Sequence, residues 1–221
     1  MAERQFKQHN FSGADLSYEA FNHCYFEGCE FAGATLRNTD FSDCEFRDCE
    51  FNNSDSQQPV DLSYADVQRS LFHHCNLTVA EAPYLKGYGV TFKNCQLQGI
   101  NLSHADFRMP IAQSDLVDLT IQQCNLSYAD LSCTYLSRCT ITNSRCIELC
   151  LDYTDLTGAV LTDNELHNLR ATGVSLKEAD LRGSTFNNIN PADVDLQGVL
   201  LEPEQLFYLV EALGVVVTRR D

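Results

Sequence analysis

From Phe6 onward a large apolar residue recurs at every fifth position: Phe6, Phe11, Leu16, Phe21, Phe26, Phe31, Leu36, Phe41, Phe46 and Phe51. After a slip of one residue the series resumes at Leu62, Val67, Phe72 and Leu77, weakens across residues 80–91, and returns at Phe92, Leu97, Leu102 and Phe107. A second slip restores the first frame, which runs from Leu116 through Ile121, Leu126 and Leu131 to Leu201. Twelve of the 13 phenylalanines fall in this column. Two positions earlier the chain prefers Ala or Cys, and between the two stands Asp or Asn, as in ADLSY at Ala14, ADLSC at Ala129 and ADLRG at Ala179.

A period of five matches neither the helical 3.6 nor the strand period of 2, so the chain must turn at every repeat. If four repeats make one square turn, residues twenty apart stack on one face, with the large and the small residue inward and the other three outward. The prediction is an all-β quadrilateral β-helix, a solenoid in which each coil buries its core against its neighbours. The coil is narrow, so its second inward position needs a small side chain, and the Asp or Asn beside it can bond the turn backbone. Roughly ten coils at ~4.8 Å give a rod of about 48 Å. The Phe-rich and Leu-rich stretches predict a core of changing girth, bulkier toward the amino terminus.

Each proline lies at an irregularity, as expected for a residue that cannot donate to a ladder. Pro59 falls where eleven residues rather than ten separate Phe51 from Leu62, and Pro110 where nine separate Phe107 from Leu116. Two projecting loops are predicted, at 52–60 and 108–115. Pro83 lies in the weak segment, which keeps register and reads as a distorted coil. Pro203 opens PEQLFYLVEALG, whose Leu206, Phe207, Leu209, Val210 and Leu213 have helical spacing, with Gly214 as a stop. The organisation expected is a β-helix over 1–202 and a helix with its tail over 203–221. VVV at 215–217 reads as a short strand. The helix fits a cap on the open end of the solenoid, or a cap that also dimerises, since five large apolar residues exceed what one small rod end needs.

Composition narrows the function classes. The 221 residues carry 15 Lys+Arg against 31 Asp+Glu, a net charge of −16, which repels phosphate and argues against direct nucleic-acid binding. No apolar run approaches the ~18 residues of a membrane span, and the amino-terminal MAERQFKQHN lacks a secretory signal pattern, so a cytoplasmic protein that does not touch membranes is expected. Eight of the 11 cysteines sit in the small inward column and read as core thiols. Their spacing does not converge on a metal, His73 and His74 bring no Cys-x-x-Cys, and no catalytic motif is present, so neither cofactor, metal nor enzymatic activity is predicted. Charge at about half the linear density of duplex DNA allows DNA mimicry or simply a solvated surface.

The repeat, its two breaks and the ending NINPADVDLQGVLLEPEQLFYLVEALGVVV together resemble the quinolone-resistance (Qnr) group of pentapeptide-repeat proteins, over essentially the whole chain. The resemblance implies a right-handed quadrilateral β-helix, a homodimer joined through its carboxy-terminal helices, and protection of DNA gyrase and topoisomerase IV from fluoroquinolones, with both loops contributing. Carried onto this sequence, the first loop comprises Asn53, Ser54, Asp55, Ser56, Gln57, Gln58 and Pro59. The second comprises Arg108, Met109, Pro110, Ile111, Ala112, Gln113, Ser114 and Asp115. The dimer interface comprises Leu206, Phe207, Leu209, Val210 and Leu213. The second break is shorter than the family pattern, and RMPIAQSD matches no family loop position by position. Immunity to a peptide toxin of gyrase and a purely structural scaffold are the alternative functions.

Overall fold

The structure, a computed structural model, describes residues 4–52, 58–111, 115–187, 189–216 and 218. Short strands β1 (Gln5–Lys7), β2 (Tyr25–Glu27), β3 (Glu45–Arg47), β4 (Leu71–His73), β5 (Val90–Lys93), β6 (Leu119–Gln122) and β7 (Thr140–Thr142) pair in parallel, in chain order, as one sheet. Strands β8 (Glu165–Leu166) and β9 (Thr185–Phe186) pair on the next wall. Isolated parallel bridges such as Asn10↔Glu30, Asp15↔Thr35 and Ala20↔Asp40 supply the other three walls of the same coil. The four-sided β-helix predicted from the period of five is what the chain adopts. We number the faces by their first central residues: Phe6, Phe11, Leu16 and Phe21.

Each corner is a tight turn. The Ala14 N–H donates to the Phe11 carbonyl (3.0 Å) and the Glu19 N–H to that of Leu16 (3.1 Å). Along the regular coils the residue two after the central one takes a positive φ, as at Gln8, Gly13 and Gly198, the third-residue conformation of a type II turn. For a bulky L-residue that conformation costs ~1–2 kcal/mol, yet Tyr18, Tyr64, Tyr84, Tyr128 and Tyr153 all adopt it. The Asp or Asn before the central residue closes the corner: Ser17 N–H donates to Asp15 Oδ1 (3.0 Å), Ser42 N–H to Asp40 Oδ1 (2.9 Å) and Ser132 N–H to Asp130 Oδ1 (2.8 Å).

The inward columns are buried over most of their length. Phenylalanine rings stack down the first face, Phe26 on Phe46 at 4.7 Å and Phe46 on Phe72 at 4.5 Å, and meet the second face edge-on, Phe26 to Phe31 at 5.7 Å. Beyond the second loop Leu, Ile and Cys replace them. There an apolar cavity of about 20 Å³ lies between coils, lined by Cys146, Leu151, Leu166, Leu176 and their neighbours. The bulkier amino-terminal core expected from composition is present.

The weak segment is not distorted. Glu81 bridges Asp61 and Asn101, and Lys86 bridges Asp66 and Asp106, because the sizes of the two inward positions are exchanged. Ala82 and Gly87 take the large column, while Leu85 and Val90 fill the small one. Ten of the 11 glycines have positive φ; Gly87 is the exception. It is required for space, since a Cβ there would meet the Phe107 ring at 2.7 Å.

Candidate interaction surfaces

Phe107 is the last buried residue before the second break. From it the chain leaves the wall as a hairpin: Arg108 and Val117 form an antiparallel bridge, the Met109 N–H donates to the Leu116 carbonyl (2.7 Å), and the Asp118 N–H to that of Phe107 (3.2 Å). The root is held by Arg108, whose Nε and Nη2 donate to the two oxygens of Asp106 (2.8 and 3.0 Å) while its guanidinium lies 4.8 Å from the Tyr135 ring centre. Arg108 in turn keeps the Asp106 carboxyl below its ordinary range. Strand β5 pairs β6 at an offset of twenty-nine, nine residues more than a regular coil. Leu116, expected to resume the central column, is instead 56% exposed; the core restarts at Leu119 and Ile121. The loop therefore runs through Asp118 rather than ending at Asp115. Ile111 is exposed as well, and Ala112, Gln113 and Ser114 lie outside the described residues. A cleft of about 540 Å³ separates the returning limb from the wall, between Leu116 and Val117 on one side and Arg138, Asp155 and Thr157 on the other.

The first break adds six residues to the regular twenty between β3 and β4. Gln58 and Pro59 are exposed; Asn53, Ser54, Asp55, Ser56 and Gln57 lie outside the described residues. Val60 does not belong to this loop. It is fully buried in the small column, two positions before Leu62.

At the carboxy-terminal end a 3₁₀ turn (Pro203–Gln205) leads into helix α1 (Leu206–Ala212). Gln205, buried, donates through Nε2 to the carbonyls of Leu181 and Ser184 (both 2.6 Å), tying the 3₁₀ turn to a corner of the coil at Leu181. Its Oε1 accepts from the Glu202 N–H (2.7 Å). Tyr208 reaches Phe186 at 5.2 Å, and Tyr208 and Leu209 pack on the core. Leu206, Phe207 and Leu213 are 52%, 40% and 58% exposed, and Val210 is half-buried. The five residues assigned to an interface thus divide: Leu209 serves the cap and the others face outward. Val215 and Val216 form no strand, and Val217 lies outside the described residues.

Carboxylates concentrate on the third and fourth faces, in the columns of Asp15, Asp61, Glu81 and Asp130 and of Asp40, Asp66, Asp106 and Asp155. Several are engaged: Arg37 pairs with Asp61 (3.0 Å), and Arg69 grips Asp43 through two nitrogens (2.7 Å each). Sequence reasoning located these acids but missed the arginine partners, which come from neighbouring coils. The 11 cysteines are free thiols, and Cys133 alone of them is exposed. Burial pushes the Cys139 and Cys146 thiols up to about 12, leaving them unreactive. His73 and His74 stack at 4.0 Å, and among the described residues no three metal-ligating side chains converge. No described helix is long and apolar enough to cross a membrane.

Comparison with known proteins agrees with this architecture. Family models for pentapeptide repeats match residues 21–66, in nine copies, and residues 121–157, in eight. Both segments carry pentapeptide repeats, on the same four-sided β-helix as the rest of the described chain. The curated relatives that the chain resembles are of the Qnr type. It is 28% identical over 92 residues to the pentapeptide repeat protein QnrB4 of Escherichia coli, covering 41% of this chain and 43% of that one. It is 26% identical over 146 residues to the quinolone resistance pentapeptide repeat protein QnrB96 of Scandinavium goeteborgense, covering 66% and 64%. The chain thus spans less than two thirds of the length of either relative. Full-length QnrB1, a plasmid-mediated fluoroquinolone resistance protein, superimposes over 97% of this chain and 100% of its own with a TM-score of 0.82 at 24% identity, a likeness of fold.

Proposed function

We propose that this protein is a non-catalytic, cytoplasmic topoisomerase-binding protein that protects DNA gyrase, and with it topoisomerase IV, from fluoroquinolones. The observation that carries the reading is the second loop. Its described limbs pair as a hairpin with exposed Ile111 and Leu116 at the sides, and its root is fixed by Asp106, Arg108 and Tyr135, so the loop projects from a pre-organised base. The acidic third and fourth faces supply partial DNA mimicry, attracting the rod to a basic surface before the loops engage. The relatives named for quinolone resistance support the same activity. Two copies join through the outward side of α1, where Leu206, Phe207, Val210 and Leu213 form an apolar patch.

The test is gyrase supercoiling with ciprofloxacin present, titrating the protein from nanomolar to tens of micromolar beside a drug-free series. Restored supercoiling in the drug series alone supports protection. Inhibition in both series identifies a DNA-competing mimic, and no effect in either refutes the reading. A variant lacking 110–115 keeps the coils and loses protection. Sedimentation of the wild type as a monomer at micromolar concentration would refute the dimer.

A further inference from the structure

The corner between the two acidic faces carries an aromatic ridge. Tyr64, Tyr84 and His104 occupy equivalent turn positions on three successive coils of the third face, and Tyr18 and Tyr153 take the same position further along the column, beyond Asn38 and Cys133; each has positive φ. Tyr64 stacks on Tyr84 and Tyr84 on His104, both at 5.0 Å and within 7° of parallel. Tyr18 and Tyr153 are 79% and 66% exposed. Glycine fits this conformation without strain and occupies it at Gly13, Gly33 and Gly99. Large aromatic side chains held there against local preference, and left in water, mark a surface used for something other than folding. On either side of the ridge run carboxylates, Glu81 and Asp130 on the third face and Asp66 and Asp155 on the fourth, beside Asp61 and Asp106, which Arg37 and Arg108 of the chain itself already hold.

The chain itself demonstrates which group suits such a surface. Arg37 lies 5.8 Å from the Tyr64 ring centre while its Nη1 pairs with Asp61 (3.0 Å), and Arg108 lies over Tyr135 while forking onto Asp106. In both, one guanidinium meets a tyrosine and an aspartate together. A guanidinium combines planar stacking with two-point hydrogen bonding in a way an ammonium cannot. We propose that this ridge and its flanking carboxylates form a docking surface for an arginine-rich protein groove, with tyrosine rather than net charge setting the selectivity. The assignment of that groove to a topoisomerase rests on the function proposed above; the chemistry of recognition does not.

The experiment compares deca-arginine and deca-lysine peptides, equal in charge, titrated into the wild type and into the variant Tyr64→Gly/Tyr84→Gly/His104→Gly. Glycine relieves the positive φ at all three positions, so the variant should melt no lower than the wild type. The wild type should bind deca-arginine about fivefold more tightly than deca-lysine, and the variant should lose that preference. Tyr128→Gly, at a turn of the second face, should keep it. Equal binding of the two peptides by the wild type, or an arginine preference that survives in the triple variant, overturns the proposal. Should the triple variant melt lower, Tyr18→Gly/Tyr153→Gly, which disturbs no stacked pair, decides by the same criterion. A parallel titration with gyrase separates the two readings: arginine selectivity without gyrase binding sinks the function proposed above and leaves the ridge standing.

Discussion

Between Phe6 and Phe92 the first face is filled by five phenylalanines whose rings stack from coil to coil at 5.0, 4.7, 4.5 and 4.9 Å. From Ile121 to Leu201 the same face carries only Ile and Leu, on the same backbone and the same parallel ladder. Flat rings at the ~4.8 Å strand spacing touch over their whole faces. Branched aliphatic chains are narrower and irregular at that spacing, and the cavity beside Cys146 and Leu166 is the result. The hydrogen-bonded walls dictate the fold in both halves, and side-chain volume decides how tightly each half is filled.

The largest test of this contrast is truncation. Phe46→Ala, removing a ring stacked on both sides, should cost about 4 kcal/mol, and Leu166→Ala beside the existing cavity about 2 kcal/mol, each read by urea denaturation. Equal losses would break the comparison. At the junction of the halves, Gly87→Leu should cost about 2 kcal/mol by driving a side chain into Phe107, and Phe107→Ala should restore much of that loss in the double variant. A gain is expected from Cys146→Val: at ~24 cal/mol per Å³ the cavity is worth roughly 0.5 kcal/mol, visible as a small rise in melting temperature, whereas a loss would mean that the cavity closes by side-chain motion.

The smallest effect should be common to both halves. Arg69, Arg108 and Arg182 hold Asp43, Asp106 and Asp180 below the ordinary value of 3.8. A carboxylate with a lowered folded pKa stabilises the fold above its unfolded value and loses that contribution as pH falls through the folded one. Melting temperature should therefore be unaffected by these groups from pH 7 down to about 4 and fall below it. A transition centred near neutrality would assign acid sensitivity to other groups.

The period of five made the four walls and the inward columns legible in the sequence, because position alone determines facing in a strict repeat, and the helical spacing after Pro203 did the same for the carboxy-terminal helix. The period fails where a residue's place in the fold departs from its count along the chain. Leu116 has the apolar identity and the spacing of a core residue, but it sits on the returning limb of a hairpin that the count of five cannot register. Val60 falls inside the loop predicted at 52–60, yet it fills the small inward column. The exchange of sizes at Leu85 and Gly87 looked like weakness, though volume was conserved across the pair. The anchoring of Arg108 on Tyr135 joins residues across an insertion and left no pattern to read. For the outward surfaces the sequence supplied the acids but not which arginines neutralise them.

The square cross-section imposes a rule on insertions and deletions. A single repeat occupies one wall, so removing five residues from any coil would rotate everything downstream by a quarter turn and realign every surface beyond that point with the wrong wall above it. The six and nine extra residues at the two breaks cause no such rotation, because both excursions return to the corner they left. Loop length can therefore drift freely while the angular phase of the rod stays locked. Variation among proteins built this way should fall in the loops, and the relative bearing of ridge, acidic faces and carboxy-terminal helix should persist.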